Sequence, residues 1–403
     1  MFFKEINNTK VIYQQVESPV FAISICLKCG SRNEKRGEYG LTHFFEHMVF
    51  KGTEKRSGLD ISIEIEGLGG EIDAYTTRDN LCFTCKVPFK HYSKAMDILF
   101  DMVLNPVFKE KDIETEKDVV KEELRMAKEN HEDSGDEAFM SLIFNEKELG
   151  RSVLGDEKSI DSFKRKQLLD YRKTRVTSNN LIVSGAGSVD EVAFFKEIDG
   201  YLSDLKSDGC VPSKEKQKFR FFDKKVKRDG MDGVNLYLAF ETFPALNEKR
   251  FALSILNAVL GYGMSSRLFE KVREELGLAY SVSSFPVFYR NEGMLYIYAS
   301  TSKGKEEHLK DVVLKECFRL GESMTEDEFI RGKNQVIGSL SLGLETVLSR
   351  AIFNTKNALV YGVPVDFSDM VNDIEKVEFS DVKELSKNIL RDDNFSVLLY
   401  GNV

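Results

Sequence analysis

Hydrophobic and polar positions follow the same order of patterns twice along this chain. In the first half, apolar and β-branched runs at 10–15 and 20–28 predict strands, and 71–88 predicts one long strand. Apolar residues at helical spacing follow from 89 to 130. The order of strand, helices, long strand, helices and closing strand returns after residue 218. The pattern therefore predicts an α+β fold with two domains of similar topology, each a mostly antiparallel sheet packed with helices.

A polar stretch, KSDGCVPSKEKQK at 206–218, separates the two halves. It contains glycine and proline and no apolar period, which is typical of a linker. At 403 residues the chain is also too long for one ordinary core. We predict an N-terminal domain at 1–205, a linker at 206–218 and a C-terminal domain at 219–403.

Two stretches are less regular than the rest. Residues 59–66 alternate like a strand, yet Asp60 could cap a short helix, so both interpretations stay open. The apolar run at 278–302 is too long for one straight strand, and we expect it to bend or split at Phe285-Pro286.

The overall composition excludes several classes of function. The chain is 42% hydrophobic and 31% charged, as expected for a globular protein. Its net charge of −9 argues against nucleic acid as a partner. No apolar run approaches the length of a membrane span, and the N-terminus lacks the features of a signal peptide. We therefore expect a cytoplasmic protein with no membrane partner.

Two C-x-x-C pairs, Cys26 with Cys29 and Cys82 with Cys85, allow a structural zinc site as one interpretation. Both pairs lie in strand-like surroundings, where residues three apart point to opposite faces of a sheet. One pair could not then hold one metal ion. Buried free thiols in a reducing compartment are favoured, and the role of the pairs stays open.

The strongest chemical signal is His43-Phe44-Phe45-Glu46-His47. Histidines four apart lie on one face of a helix and can share one Zn²⁺ at about 2.0–2.1 Å from each nitrogen. Glu46 precedes the second histidine and can act as a general base without being a ligand. This H-x-x-E-H order is the inverzincin signature of zinc peptidases. Large apolar residues between positions 44 and 50 indicate that the polar groups are buried and need partners or a metal.

A catalytic zinc site needs a third protein ligand, and the charged helix at 109–130 offers many glutamates. Glu116 and Glu123 are seven residues apart and share one face of that helix, whereas Glu122 points elsewhere. Spacing alone does not choose among these glutamates.

Three segments together, HFFEHMVFKGT, GGEIDAYTTRDN and EKDVVKEELRM, resemble the pitrilysin superfamily of zinc metallopeptidases. The chain length resembles the short processing-peptidase branch of that family. The resemblance implies that Glu123 is the third zinc ligand beside His43 and His47, and that Glu116 supports the site.

The resemblance extends to GYGMSSRLFEKVREELGLAYSV in the second half. It implies that Arg273 and Tyr280 reach the substrate near the scissile carbonyl. It also implies that the strand with Asp73, Ala74 and Tyr75 receives the substrate as an added strand. The family more often has asparagine at the position of Asp73, and a carboxylate there could favour basic substrates.

By this resemblance the protein is a zinc-dependent endopeptidase that hydrolyses peptides or unfolded or leader segments. The family builds a closed chamber from four such domains, so a chain with two of them implies a dimer, most simply a homodimer. The alternative is a non-catalytic or partner-requiring subunit of a processing-peptidase-like complex. The sequence leaves open the natural substrate, the cleavage preference, the choice between homodimer and heterodimer, and whether Arg273 and Tyr280 act on their own chain's site.

Overall fold

The computed structural model describes residues 1–145, 147–209 and 215–403. These residues divide into two compact units, each assembled from three segments of the chain. The first unit comprises Met1–Met126, Arg151–Ser213 and Gly343–Asp366. The second unit comprises Ala127–Gly150, Lys214–Leu342 and Phe367–Val403.

The predicted domains were continuous, whereas each compact unit includes one segment from the opposite half of the chain. These two segments are Gly343–Asp366 in the first unit and Ala127–Gly150 in the second. Each contains one helix that packs on the sheet of its unit, as described below. The predicted linker at 206–218 lies partly outside the described residues, at 210–214. The proposed domain boundaries themselves stay a prediction.

Strands and helices are numbered here in chain order. The strands are β1 (Phe2–Ile6), β2 (Thr9–Gln15), β3 (Val20–Leu27), β4 (Glu71–Thr76), β5 (Leu81–Pro88), β6 (Leu181–Gly187), β7 (Phe222–Lys227), β8 (Gly233–Glu241), β9 (Ser281–Phe288), β10 (Gly293–Ser302) and β11 (Phe395–Gly401). The α-helices are α1 (Leu41–Val49), α2 (Gly58–Gly67), α3 (Tyr92–Leu104), α4 (Glu110–Glu129), α5 (His131–Phe144), α6 (Glu157–Ser162), α7 (Arg165–Arg175), α8 (Glu191–Leu202), α9 (Arg250–Leu260), α10 (Glu306–Ser323), α11 (Glu326–Leu342), α12 (Val347–Tyr361), α13 (Phe367–Glu375) and α14 (Phe379–Ile389).

The sheet of the first unit has the strand order β1-β2-β6-β3-β5-β4. Strands β2 and β6 are parallel, and the other neighbours are antiparallel. One face packs on α1 and α3 through large side chains such as Ile25 and Phe45. On the other face, Ala22 and Ala186 contact Ala351 of α12. Because these three side chains are small, α12 can lie close to the strands.

The sheet of the second unit has the order β7-β11-β8-β10-β9. It repeats the first sheet without β1, and its one parallel pair, β11 with β7, occupies the matching place. One face packs on α9, α10 and α14. The other face packs on α5, where the hydroxyl of Tyr237 donates to the carbonyl of Glu132 at 2.9 Å. The prediction of a two-domain α+β fold with repeated topology is therefore confirmed.

Both long predicted strands are wrong in detail, because each one is a hairpin. The 71–88 run turns after Thr76, where the hydroxyl of Thr77 accepts the N–H groups of Asp79 at 3.2 Å and Asn80 at 3.0 Å. Such side-chain bonds replace strand pairing and close a turn. The 278–302 run turns at 289–292 and not at Phe285-Pro286. Pro286 lies within β9, an edge strand, where a missing N–H costs little.

Residues 59–66, for which the sequence allowed either a strand or a helix, form a helix, α2. The hydroxyl of Ser57 accepts the N–H of Asp60, and the Asp60 carboxylate accepts the N–H of Ser57. This reciprocal capping starts a helix at Gly58. Ile61 and Ile65 are then buried one turn apart, while Ile63 is exposed.

The expectation of free thiols is wrong for one cysteine pair. Cys26 on β3 and Cys82 on β5 are register partners, and the structure joins them in a disulfide. The bond therefore runs between the two C-x-x-C motifs and not within either. Cys29 and Cys85 are buried and take no part in this disulfide. A cytoplasmic location stays a prediction from the sequence.

Among the described helices, none is by itself long and apolar enough to cross a membrane. The helices α11 and α12 meet that test of length and composition only when they are taken as a pair.

Candidate metal centre

Helix α1 presents His43 and His47 one turn apart, with ring centroids separated by 4.6 Å. Helix α4 brings Glu123 to both rings. Its carboxylate oxygens lie 3.6 Å from Nε2 of His43 and 3.4 Å from Nε2 of His47. The three ligand atoms lie within 4.8 Å of one another. Within residues 1–145, 147–209 and 215–403, this is the only such group of three metal-ligating side chains.

This geometry fits a zinc ion. Two ligands placed tetrahedrally around zinc at about 2.0–2.1 Å would be separated by about 3.3 Å. The two nitrogen–oxygen distances are close to that separation before any adjustment of the side chains. Two imidazoles and one carboxylate are also a known ligand set of catalytic zinc, which leaves a fourth position open. The prediction that these residues are the ligands is consistent with this geometry.

The Nδ1 atom of His47 lies 2.8 Å from Oε1 of Glu116, on the ring side opposite the metal position. The other oxygen of this buried carboxylate, Oε2, lies 2.5 Å from Nζ of Lys51. Such a contact makes Nδ1 the proton donor and leaves Nε2 free for a metal. The supporting role of Glu116 stays a prediction. The contact of Lys51 with Glu116 was not indicated by the motif.

The charges around the two histidines differ. Burial lowers the pKa of His43 to about 4, and the neighbouring His47 acts in the same direction. Burial also lowers the pKa of His47, but hydrogen bonds to the carboxylates of Glu116 and Glu123 outweigh it and raise the pKa to about 9. A metal at Nε2 of His47 therefore replaces a proton, so metal affinity falls with decreasing pH.

Removal of the Lys51 charge tests the chain of contacts from Lys51 through Glu116 to His47. In Lys51→Met, Glu116 loses its cationic partner, so we expect zinc affinity to fall about ten-fold. Lys51→Arg should retain most of the affinity, because it keeps the charge. Lys86→Met is a matched control, since Lys86 pairs with Glu71 at 2.9 Å on β5 and β4. Chelator competition measures the affinities, and an equal loss in both methionine variants would contradict this role.

Glu46 lies on α1 between the two histidines and is partly buried. Burial raises the pKa of its carboxyl group, while a hydrogen bond from Thr76 opposes the shift. The hydroxyl of Thr76 donates this bond to Oε2 of Glu46. A raised pKa suits a group that must take up a proton and release it again.

The start of α1 depends on Glu34, which sequence analysis missed. Gly40 is the N-cap and has no side chain to accept the free N–H groups of the first turn. The buried carboxylate of Glu34 accepts the N–H groups of Gly40 at 2.8 Å and Thr42 at 2.7 Å. A lone glutamate six residues before the N-cap matches no common capping pattern, so the sequence held no usable signal.

Glu34 should also contribute a pH dependence to stability. Burial raises its pKa from 4.5 to about 7, although the N–H groups of Thr42 and Gly40 and the charge of Arg151 oppose the shift. Because the folded protein then binds this proton more tightly than the unfolded chain, the contribution to unfolding free energy falls as pH rises from about 4.5 to about 7. Glu34→Gln, which cannot titrate, should lack this fall.

Urea unfolding of the metal-free protein at pH 5 and pH 7.5 measures the effect without the pH dependence of zinc binding. Wild type should lose more stability than Glu34→Gln between the two values. Glu38→Gln is the control, because Glu38 belongs to the same loop and accepts the N–H of Lys35 at 3.0 Å. Parallel changes in wild type and Glu34→Gln would show that Glu34 does not titrate in this range.

The remaining predicted site residues lie in two places. Asp73, Ala74 and Tyr75 belong to β4, which is an edge strand of the first sheet. Arg273 and Tyr280 belong to the second unit, where the guanidinium of Arg273 lies 5.3 Å from the ring centroid of Tyr280. Tyr280 is 84% exposed. Contact of these five residues with substrate stays a prediction.

Comparison with known proteins gives two family matches. The profile of insulinase (Peptidase family M16) matches residues 10–157, which include all three candidate ligands. The profile of the peptidase M16 inactive domain matches residues 162–336.

Similar whole chains extend these matches. An uncharacterised zinc protease of Bacillus subtilis (strain 168) is 31% identical over 373 residues, which are 92% of this chain and 91% of that protein. An uncharacterised zinc protease of Rickettsia bellii (strain RML369-C) is 31% identical over 385 residues, 94% of this chain and 92% of that protein.

Solved structures show the same fold at lower identity. A crystal structure of a peptidase M16 inactive domain from Pseudomonas fluorescens matches with a TM-score of 0.92 at 17% identity, over 100% of this chain and 98% of that one. A protease from Helicobacter pylori matches with a TM-score of 0.88 at 19% identity, over 99% and 98% of the two chains.

Two α+β units of repeated topology, with an H-x-x-E-H helix beside a third carboxylate, define the inverzincin class of zinc peptidases. The matches over nearly the whole chain make the assignment specific: this chain belongs to the peptidase M16 family, the pitrilysin superfamily that its motifs resemble. Zinc is the cofactor that the names of the relatives and the ligand set share.

Proposed function

We propose that this protein is a zinc-dependent endopeptidase that hydrolyses peptides or unfolded or leader segments. The observation that carries the proposal is the meeting of His43, His47 and Glu123, with Glu46 next to a ligand in sequence but outside the ligand set. A purely structural zinc site would be closed by four protein ligands. Three ligands and an adjacent unligated carboxylate instead support hydrolysis.

Zinc held by these three residues supplies a Lewis acid that lowers the pKa of water and polarises the scissile carbonyl. Glu46 then acts as the general base, taking a proton from the attacking water, and passes it to the departing amine. Glu116 holds the ring of His47 and keeps its proton on Nδ1. The carboxylate of Glu46 therefore serves both proton transfers, the one from the water and the one to the amine.

The edge strand β4 is the proposed binding site for the substrate backbone. One side of β4 pairs with β5, and no described strand pairs with its other side. An extended peptide can add there through backbone hydrogen bonds. Asp73 on this strand is exposed and would attract a basic side chain of the substrate.

Arg273 and Tyr280 are proposed to contact the substrate near the scissile carbonyl. The exposed hydroxyl of Tyr280 is open to a ligand, and the adjacent guanidinium can bind a peptide carbonyl. We propose that the working form is a homodimer enclosing a chamber, in a cytoplasmic location. Light scattering of the purified chain tests the dimer directly.

The second candidate is a non-catalytic or partner-requiring subunit of a processing-peptidase-like complex. It is favoured by the match of residues 162–336 to a domain described as inactive. Zinc analysis and a peptide library distinguish the two candidates. The proposed peptidase cleaves library peptides alone, loses this activity with chelator and recovers it with zinc. Bound zinc without cleavage would favour a partner-requiring subunit, and absence of zinc would favour a non-catalytic one.

A further inference from the structure

The carboxylate of Glu46 is held by a residue from another element. Thr76 is the last residue of β4, and its hydroxyl donates a hydrogen bond to Oε2 of Glu46 on α1. Both side chains are partly buried. Among the described contacts, this is the only hydrogen bond to the Glu46 carboxylate.

The alternation of β4 explains why Thr76 can reach α1. Ile72 and Ala74 pack on the core that also contains the apolar residues of α1. Thr76 follows at the same two-residue period, so it lies on the same face of the sheet, and Asp73 and Tyr75 lie on the opposite one. The turn after Thr76 is closed by Thr77, and β4 is paired with β5 along its length. The Thr76 hydroxyl is therefore held in place by the sheet.

This contact limits the positions that the Glu46 side chain can take. A glutamate has several rotatable bonds, and a partly buried carboxylate without a partner would turn toward any available donor. The bond to Oε2 occupies one oxygen and leaves Oε1 free to accept a proton. A general base works only within hydrogen-bond reach of the proton that it removes, and a misplacement of about 1 Å can cost a hundred-fold in rate.

We propose that Thr76 is a positioning residue that orients Glu46 and couples the general base to the edge strand assigned to the substrate. The inference rests on the proposed function. It means that β4 has two roles: its backbone receives the peptide, and its last side chain fixes the group that transfers the proton. The general base and the substrate are then aligned by the same six-residue strand.

Thr76→Val tests this role, because it keeps the shape of threonine and removes the hydroxyl. We expect kcat for peptide hydrolysis to fall at least about ten-fold with KM within about two-fold, since only proton transfer is affected. Thr76→Ser restores the hydroxyl and should keep kcat within about three-fold of wild type. Zinc content should be unchanged in both variants.

Thr84→Val is the matched control. Thr84 lies on β5 opposite Asp73 and donates to the carbonyl of Asp73 at 3.4 Å, with no described contact to Glu46. It should keep near-normal kcat. Equal losses of kcat in Thr76→Val and Thr84→Val, or equal losses in Thr76→Val and Thr76→Ser, would overturn the proposal.

A second measurement uses the metal-free protein and does not depend on activity. Thr76→Val should lower Tm in the wild-type background, where it leaves the Glu46 carboxylate without a partner, but hardly at all in Glu46→Ala. The same Tm shift in both backgrounds would overturn the contact. If wild type binds zinc but cleaves nothing, the proposed function fails, and the Tm comparison still decides whether Thr76 holds Glu46.

Discussion

Glu46→Gln is expected to lower kcat for peptide hydrolysis about a thousand-fold while the protein keeps about one zinc per chain. Glutamine has nearly the same volume, and its amide oxygen can still accept the hydrogen bond from Thr76. It cannot take a proton from water or return one to the leaving amine. The substitution therefore removes one chemical step and leaves the site's structure in place.

The measurement combines initial rates on a fluorogenic peptide with zinc analysis of the same samples. Glu122→Gln is a suitable control, because Glu122 is exposed on α4 and pairs with Arg125 of the same helix. The control should have wild-type rates and wild-type zinc. Near-normal activity in Glu46→Gln would exclude Glu46 as the general base.

Glu123→Gln is expected to weaken zinc binding by more than a hundred-fold and to abolish activity without added zinc. Loss of a partner of a ligand costs about 10- to 100-fold in metal affinity, so loss of a direct ligand should cost more. The anionic oxygen is also the part of the ligand set that offsets the charge of zinc. In the metal-free protein, His47 would lose one of the two carboxylates that raise its pKa.

Chelator competition on Glu123→Gln and Glu122→Gln side by side provides a matched pair of adjacent glutamates. Only Glu123 lies within 3.6 Å of both histidine rings. The Glu122 variant should bind zinc as tightly as wild type. If both variants bind zinc normally, Glu123 is not a ligand, and the proposed centre is wrong.

The parts of the site that are close in sequence followed from spacing alone, and the distant ones did not. Helical spacing alone placed His43, Glu46 and His47 together. Glu123 was one of several glutamates on a charged helix, and only the family resemblance distinguished it. Lys51 and Thr76 had no signal, because their contacts join them to Glu116 and Glu46, which are 65 and 30 residues away in sequence.

A similar limit applied to the fold. The repeated order of strands and helices was enough to predict two α+β halves. It did not show that 71–88 and 278–302 turn back as hairpins, since the turn residues lie inside runs with strand-like composition. It also did not show that α12 covers the sheet of the first unit and α5 that of the second.

The sequence by itself therefore indicated the class of fold, the two imidazoles and the neighbouring carboxylate of Glu46, because these depend on the repeated order of elements and on the spacing along one helix. Only the tertiary structure showed that Glu123 lies beside both imidazoles, which side chains contact Glu46 and His47, and which helix covers each sheet. Those choices depend on contacts between segments far apart in the chain, where packing and buried charge select among several residues that the sequence leaves equivalent.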